Sequence, residues 1–129
     1  MAGKAVLDAS ATIAYILRET PWEKVQPFLG DAFMSTVNAS EVISDLLNRN
    51  WSLEFSLETL TGLDITIVPH DFAQAVKVAE IKKQLPRKTA ISRADCACFA
   101  LAEILDLPIL TTDKNWTTLN LQLDIQQLR

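Results

Sequence analysis

Residues 91–116 of the chain read ISRADCACFALAEILDLPILTTDKNW. Ser92 is a good helix cap, and the strongly apolar segment that follows it predicts a helix to about Leu105. The short apolar run at 108–111 then predicts a buried strand, after which the chain turns polar at Asp113. A helix that leads into a short strand with polar residues at its carboxyl end is the repeating unit of an α/β fold.

The same alternation recurs upstream of this segment. Strands are expected at 5–7, 33–35 and 65–68, and helices at 11–17, 20–30, 38–49 and 53–60, with a further helix after a cap at Asp71. A last alternating run through Leu121, Leu123 and Ile125 predicts an edge strand. Because strands separated by helices need crossover connections, we expect one domain over residues 1–129: an α/β/α sandwich with a mainly parallel central sheet of four to five strands.

The composition is that of an ordinary globular protein and disfavours several classes. The 129 residues are 49% hydrophobic and 22% charged, and 16 acidic against 12 basic residues give a net charge of −4. This balance disfavours a protein that coats nucleic acid or anionic membrane through its overall charge. No uncharged stretch exceeds nine residues, and Asp8 interrupts the first apolar run. We therefore expect no membrane span, no secretory signal and a cytoplasmic location.

The scarce residue types narrow the chemistry further. Three glycines exclude the phosphate-binding loop and the dinucleotide fingerprint, and the single histidine, His70, excludes a His-rich metal site. Cys96 and Cys98 point about 200° apart around a helix, so we expect buried thiols rather than a disulfide. Any chemistry must be built mainly from carboxylates.

Four acids occur where parallel-sheet proteins place functional groups, and we call them the acidic quartet: Asp8, Glu41, Asp95 and Asp113. Two of them follow predicted strands, and two lie near the start of predicted helices. Because sites in open parallel sheets lie beyond the carboxyl ends of the strands, the quartet converges if the first and fourth strands are neighbours. Such a cluster is repulsive when empty, and Mg²⁺ or Mn²⁺ relieves the repulsion by binding carboxylate oxygens.

Each acid also has an ordinary structural interpretation. Glu41 and Asp95 lie three residues after a capping residue, where a carboxylate satisfies backbone N–H groups and favours the helix dipole. Asp8 and Asp113 would serve equally well as turn residues at strand ends. No single acid is therefore diagnostic of a site.

Taken in order, four segments around these acids resemble the signatures of PIN-domain nucleases. The segments are VLDAS at 6–10, NASEV at 38–42, SRADC at 92–96 and LTTDKN at 110–115. The longest similar stretch runs over 91–116, and the resemblance covers essentially the whole chain. Such a minimal member is most similar to the VapC-like toxins of type II toxin–antitoxin pairs.

The resemblance implies a metal-dependent endoribonuclease in which the acidic quartet holds one or two Mg²⁺ or Mn²⁺ ions. Water is then the nucleophile, and cleavage leaves a 5′-phosphate and a 3′-hydroxyl. Ser10, Thr111 and Thr112 are expected to hold the carboxylates by hydrogen bonds. Asn115 stands where some relatives carry another acid, which places a full second metal site in doubt.

Half of the basic residues lie in a 17-residue segment that leads into the Asp95 helix: Lys77, Lys82, Lys83, Arg87, Lys88 and Arg93. Only Glu80 opposes them, so the segment carries +5. A solvated helix face and loop would explain this charge. Because its last members precede the helix of Asp95, Arg87, Lys88 and Arg93 are the predicted contacts to RNA phosphates.

Apolar side chains near the start of the chain predict contact with other proteins. Tyr15, Leu17, Trp22, Leu46 and Leu47 together supply more apolar surface than a small domain readily hides. The resemblance implies a homodimer and a VapB-like antitoxin that occupies a hydrophobic groove near the active site.

Other classes of protein fit less well. A haloacid-dehalogenase-type phosphatase needs a second acid two residues after Asp8, where Ser10 stands, and a receiver domain needs paired acids where Lys4 and Ala5 stand. A non-catalytic PIN-like RNA-binding or adaptor module, and a solitary PIN nuclease in RNA processing, remain open. Inactive relatives typically lose acids of the quartet, whereas all four are present here.

Overall fold

The computed structural model describes residues 3–129, and Met1 and Ala2 lie outside the described residues. The strands are β1 (Ala5–Leu7), β2 (Ala32–Ser35), β3 (Ile65–Val68), β4 (Ile109–Thr111) and β5 (Ile125–Gln127). The helices are α1 (Ala9–Leu17), α2 (Thr36–Asn48), α3 (Leu53–Thr61), α4 (Phe72–Gln84) and α5 (Arg93–Leu105). Two short 3₁₀ turns, Trp22–Lys24 and Gln26–Phe28, lie between α1 and β2.

The five strands form one sheet in the order β3-β2-β1-β4-β5, and every neighbouring pair is parallel. The first strand is central, with Val6 paired to Phe33 on one side and to Ile109 on the other. All five carboxyl ends therefore point to the same edge of the sheet. The predicted parallel sheet of four to five strands is confirmed. The first and fourth strands are neighbours, which is the condition for convergence of the quartet.

Hydrophobic cores cover both faces of the sheet because side chains alternate along each strand. Val6 and Ile109 belong to one core, and Leu7 and Leu110 belong to the other. The first core is dominated by α5, in which every residue from Cys96 to Ala102 is buried. A helix that is apolar on all sides needs neighbours on all sides, and α5 packs against α4, α2 and three strands.

Two buried aromatic rings connect α5 to the loop that follows β4. The Phe99 and Trp116 rings meet edge-to-face with their centroids 4.7 Å apart. Cys96 and Cys98 are buried free thiols, as predicted. Burial raises the pKa of both thiols, most strongly that of Cys98, so the residues serve as packing groups here.

The predicted helix at 20–30 is wrong. The segment forms two 3₁₀ turns instead, with Pro27 inside the second one. Proline has no N–H and its ring clashes with the preceding turn, so Pro27 kinks or breaks an α-helix at this position.

The predicted starts of two helices are also wrong by a few residues. The second helix begins at Thr36 with Ser35 as its cap, since the Ser35 hydroxyl oxygen accepts a hydrogen bond from the Val37 N–H at 3.1 Å. This places Glu41 beyond the first turn, so the helix-start interpretation of that acid fails. The first helix begins at Ala9, because Asp8 itself is the cap.

The last strand is shorter than the predicted run over Leu121, Leu123 and Ile125. It starts at Ile125, since its partner β4 offers only three residues for pairing. Leu121 and Leu123 pack against the core of α5 instead. Within residues 3–129, no helix is long and apolar enough to cross a membrane.

Candidate metal centre at the carboxyl edge of the sheet

The acidic quartet lines one pocket of about 290 Å³ beyond the carboxyl ends of β1 and β4. Asp8 follows β1, Asp113 follows β4, Glu41 lies on α2 and Asp95 lies on α5. The other lining residues are Ala9, Ser10, Ile13, Asn38, Asp45 and Trp116. The structure thus brings together four acids that are separated by up to 105 positions in the sequence.

Asp8 is the most buried acid of the pocket, with 4% of its surface exposed. Its Oδ1 caps α1 by accepting a hydrogen bond from the Ala11 N–H at 2.9 Å, and its Oδ2 accepts one from the Thr111 hydroxyl at 2.7 Å. The Ser10 hydroxyl lies 2.8 Å from both oxygens. Burial raises the pKa of Asp8 from 3.8 to about 6, although these hydrogen bonds oppose the shift, and the charge of Asp95 raises it further.

Hydrogen bonds connect this carboxylate to the segment after β4. The Thr112 N–H donates to the Ser10 hydroxyl oxygen at 3.0 Å, and the Asp113 N–H donates to that of Thr111 at 2.9 Å. Ser10 and Thr111 therefore hold Asp8 through their hydroxyls, whereas Thr112 takes part through its backbone. Asn115 also uses its backbone, because its N–H donates to Asp113 Oδ1 at 2.8 Å.

Asp95 combines a structural contact with its place in the pocket. Its Oδ2 accepts a hydrogen bond from the Ser92 N–H at 2.9 Å, and its own N–H donates to the Ser92 hydroxyl at 3.0 Å, which completes a capping box. Burial raises the pKa of Asp95; the Ser92 contacts oppose this, the charge of Asp113 adds to it, and the charge of Lys82 opposes it. The capping interpretation is thus correct for Asp95, and the residue still lines the pocket.

Glu41 is held by a residue that sequence reasoning assigned only to the start of a helix. The Asn38 Nδ2 donates to Glu41 Oε1 at 2.9 Å and to the carbonyl oxygen of Ala94 at 3.0 Å. Sequence reasoning also missed Asp45, which lines the pocket and pairs with Arg49 at 2.7 Å. The spacing of Asn38 and Asp45 from Glu41, three and four positions, is the helical signal that places all three on one face.

The donor chemistry of the pocket fits a hard divalent cation. Its ionisable ligands are all carboxylates, and the buried Asn38 Oδ1 has no hydrogen-bond partner. As the side chains stand, no group of three or more His, Cys, Asp or Glu residues within 3–129 is arranged to hold a metal ion. Asp95, Glu41 and Asp113 each accept a hydrogen bond from the protein through one carboxylate oxygen.

The predicted RNA contacts lie outside this pocket. Arg87 and Lys88 are exposed in the connection before α5, and Arg93 is exposed in its first turn, where it lines a second pocket of about 250 Å³ with His70. The cation whose charge acts on Asp95 is Lys82. Its Nζ donates to the carbonyl oxygen of Ile91 at 3.1 Å, which holds it near the start of α5.

The apolar side chains that were expected to contact other proteins differ in their solvent exposure. Leu46 is fully buried and Leu47 is exposed, while Tyr15, Leu17 and Trp22 are half-buried. Tyr15 and Trp22 pack edge-to-face with the Arg18 guanidinium over both rings. The larger exposed apolar set lies on α3: Leu53, Phe55 and Leu57.

The fold and the pocket define the class of this protein. It is an α/β domain with an acidic pocket beyond its central parallel strands. The sequence model of the PIN domain matches residues 5–120, and the chain therefore belongs to the PIN-domain family. The fold and the family expected from the sequence motifs are confirmed. A search of curated proteins by sequence returned no significant match.

Solved structures of similar fold come from toxin–antitoxin systems. The DNA-bound VapBC of Salmonella typhimurium matches with a TM-score of 0.80 and 18% identity, covering 98% of this chain and 99% of that one. VapBC2 of Rickettsia felis, bound to a promoter DNA fragment, matches with a TM-score of 0.77 and 13% identity, covering 97% of this chain and 98% of that one. VapC20 of Mycobacterium tuberculosis, a toxin that cleaves the sarcin–ricin loop, matches with a TM-score of 0.70 and 10% identity, covering 88% of this chain and 93% of that one. At these identities the likeness is one of fold.

Proposed function

We propose that this chain is an endoribonuclease that depends on Mg²⁺ or Mn²⁺ and acts as the VapC-like toxin of a type II toxin–antitoxin pair. The observation that carries the proposal is the convergence of the acidic quartet in one pocket at the carboxyl edge of the sheet. Membership in the PIN-domain family and the fold shared with VapC toxins support it.

In this proposal the acidic quartet holds one or two divalent ions. A bound ion supplies positive charge that activates water and stabilises the negative charge that develops on a phosphodiester. Asp8 is the best-oriented ligand, since Ser10 and Thr111 fix both of its oxygens. Asp95 and Glu41 each hold a protein donor with one carboxylate oxygen, which leaves the second oxygen for the ion.

The substrate is RNA, and hydrolysis leaves a 5′-phosphate and a 3′-hydroxyl. Arg87, Lys88 and Arg93 contact its phosphates, since the first two are exposed in the connection that leads to α5 and the third in the first turn of α5, which carries Asp95. A VapB-like antitoxin and a second copy of the chain cover exposed apolar surface, which includes Leu47 on α2 and Leu53, Phe55 and Leu57 on α3. The protein acts in the cytoplasm.

Cleavage of a structured RNA by the purified protein, with Mn²⁺, with Mg²⁺ or with chelator, tests the proposal. We expect cleavage only with metal and its loss in Asp8→Asn and in Asp95→Asn. Asp106→Asn is the matched control, because it removes an acid at the opposite end of α5, in a left-handed conformation that asparagine tolerates. Cleavage that persists in both quartet variants contradicts the site, and an inactive, antitoxin-free parent favours a non-catalytic RNA-binding module.

A further inference from the structure

Asn38 is a buried amide in the first turn of α2 that joins two helices of the acidic pocket. Only 1% of its surface is exposed. Its Nδ2 donates to Glu41 Oε1 within α2 and to the Ala94 carbonyl oxygen, in the residue before Asp95 on α5. Both partners are acceptors, so the nitrogen faces them and the orientation of the amide is determined.

The other end of this amide is unsatisfied. Asn38 Oδ1 is buried without a hydrogen-bond partner, and the residue lines the pocket of the quartet. A buried amide oxygen without a partner costs free energy, and an apolar side chain of similar shape would avoid that cost. The amide is therefore poorly explained by packing alone, whereas a buried donor for Glu41 in a residue that lines the acidic pocket suits a role in holding that carboxylate.

We infer that Asn38 is a positioning residue that holds the Glu41 carboxylate against the start of α5, and so presets its place relative to Asp95 for divalent-cation binding. This inference rests on the metal-dependent function proposed above. Without the two hydrogen bonds, Glu41 is free to turn away from its neighbouring acids, because like charges repel each other. Ion binding then has to reorder that side chain, which weakens affinity.

The first test uses the metal-free protein and a double-mutant cycle in urea unfolding. Asn38→Ala and Glu41→Ala each remove the same hydrogen bond, so we expect the double variant to lose less stability than the two single variants together. Asn38→Leu, which keeps the branched shape but cannot donate, serves in place of Asn38→Ala if the smaller side chain impairs folding. Additive losses overturn the inference, whether or not the protein binds metal.

The second test is calorimetric titration with Mn²⁺ in the absence of RNA. We expect Asn38→Ala to weaken Mn²⁺ binding about tenfold or more, as is usual for residues that support metal ligands. In the Glu41→Ala background the same change is expected to have no further effect. Unchanged affinity in Asn38→Ala, or an equal loss in both backgrounds, overturns the inference.

Gln74 provides a matched control. It is a buried amide on α4 whose Nε2 donates to the Pro69 carbonyl oxygen and whose Oε1 has no partner, but it does not line the acidic pocket. Gln74→Ala is expected to lower stability and leave Mn²⁺ affinity unchanged. If the parent protein binds no Mn²⁺, the proposed function fails, and the unfolding cycle still decides whether Asn38 holds Glu41.

Discussion

The Thr111 hydroxyl donates a hydrogen bond to Asp8 Oδ2 at 2.7 Å, across 103 positions of sequence. Thr111 is the last residue of β4 and Asp8 directly follows β1, so the register of these neighbouring parallel strands brings them together. The same hydroxyl oxygen accepts from the Asp113 N–H at 2.9 Å. A single threonine thus orients one acid of the quartet and places the backbone of another.

Thr111→Val removes this hydroxyl and keeps the side-chain shape. We expect a loss of about 1.5–3 kcal/mol in the free energy of unfolding, because hydrogen bonds to charged groups are worth that much. Urea unfolding measures it. Thr66→Val, in an exposed position of β3, is the control and should change stability by less than about 0.5 kcal/mol. Equal effects at the two positions would show that the contact with Asp8 is unimportant.

The stability of the metal-free protein should depend on pH through Asp8. Its pKa is about 6 in the folded protein and 3.8 ordinarily, so the folded state binds more protons between these values. Stability therefore falls as pH rises from about 4 to about 6, by up to about 3 kcal/mol at 1.36 kcal/mol per pKa unit. Asp8→Asn should lack this contribution. The test is to measure the free energy of unfolding of both proteins in chelator across that pH range. If it changes with pH equally in the parent and in Asp8→Asn, the raised pKa is contradicted.

Mn²⁺ should stabilise the parent protein, because it binds the folded state and relieves repulsion within the quartet. At a free concentration one hundred times the dissociation constant, the gain is about 2.7 kcal/mol. Thermal unfolding at pH 7 with and without Mn²⁺ measures this gain, since Asp8 with a pKa of about 6 is mostly ionised there. Asp95→Asn should lose the gain and Asp106→Asn should keep it. Stabilisation of all three proteins alike would place the ion elsewhere.

Arg93 should contribute a phosphate contact to RNA binding. We expect Arg93→Gln to weaken binding of single-stranded RNA in chelator and to lower the salt dependence of the affinity by about 0.7 for each phosphate that is no longer neutralised. Fluorescence anisotropy at several salt concentrations measures both quantities. Lys4→Gln is the control, because Lys4 precedes β1 at the opposite edge of the sheet. Identical salt slopes for the parent and Arg93→Gln would remove Arg93 from the interface.

Local features of the fold were predictable where one short segment carries the whole signal. Ser92 and Asp95 form the expected capping box, and Asp71 caps α4 by accepting from the Gln74 N–H at 3.0 Å. Prediction failed where two local signals compete. Ser35 and Asn38 are both good caps, and the choice of Ser35 leaves the Asn38 side chain free to reach α5.

Hydrophobic periodicity and capping act over a few residues, and for this reason the amino-acid sequence placed most strands and helices and identified the four acids of the quartet. The contacts that assemble the pocket are of another kind. Asn38 reaches Ala94 across 56 positions, and Thr111 reaches Asp8 only because β4 lies beside β1. Burial of Asp8, and with it the raised pKa, is likewise a product of packing on both faces of the sheet. Side chains that are far apart in the sequence come into contact only when the helices and strands pack together. A pattern that spans a few residues contains no information about such contacts.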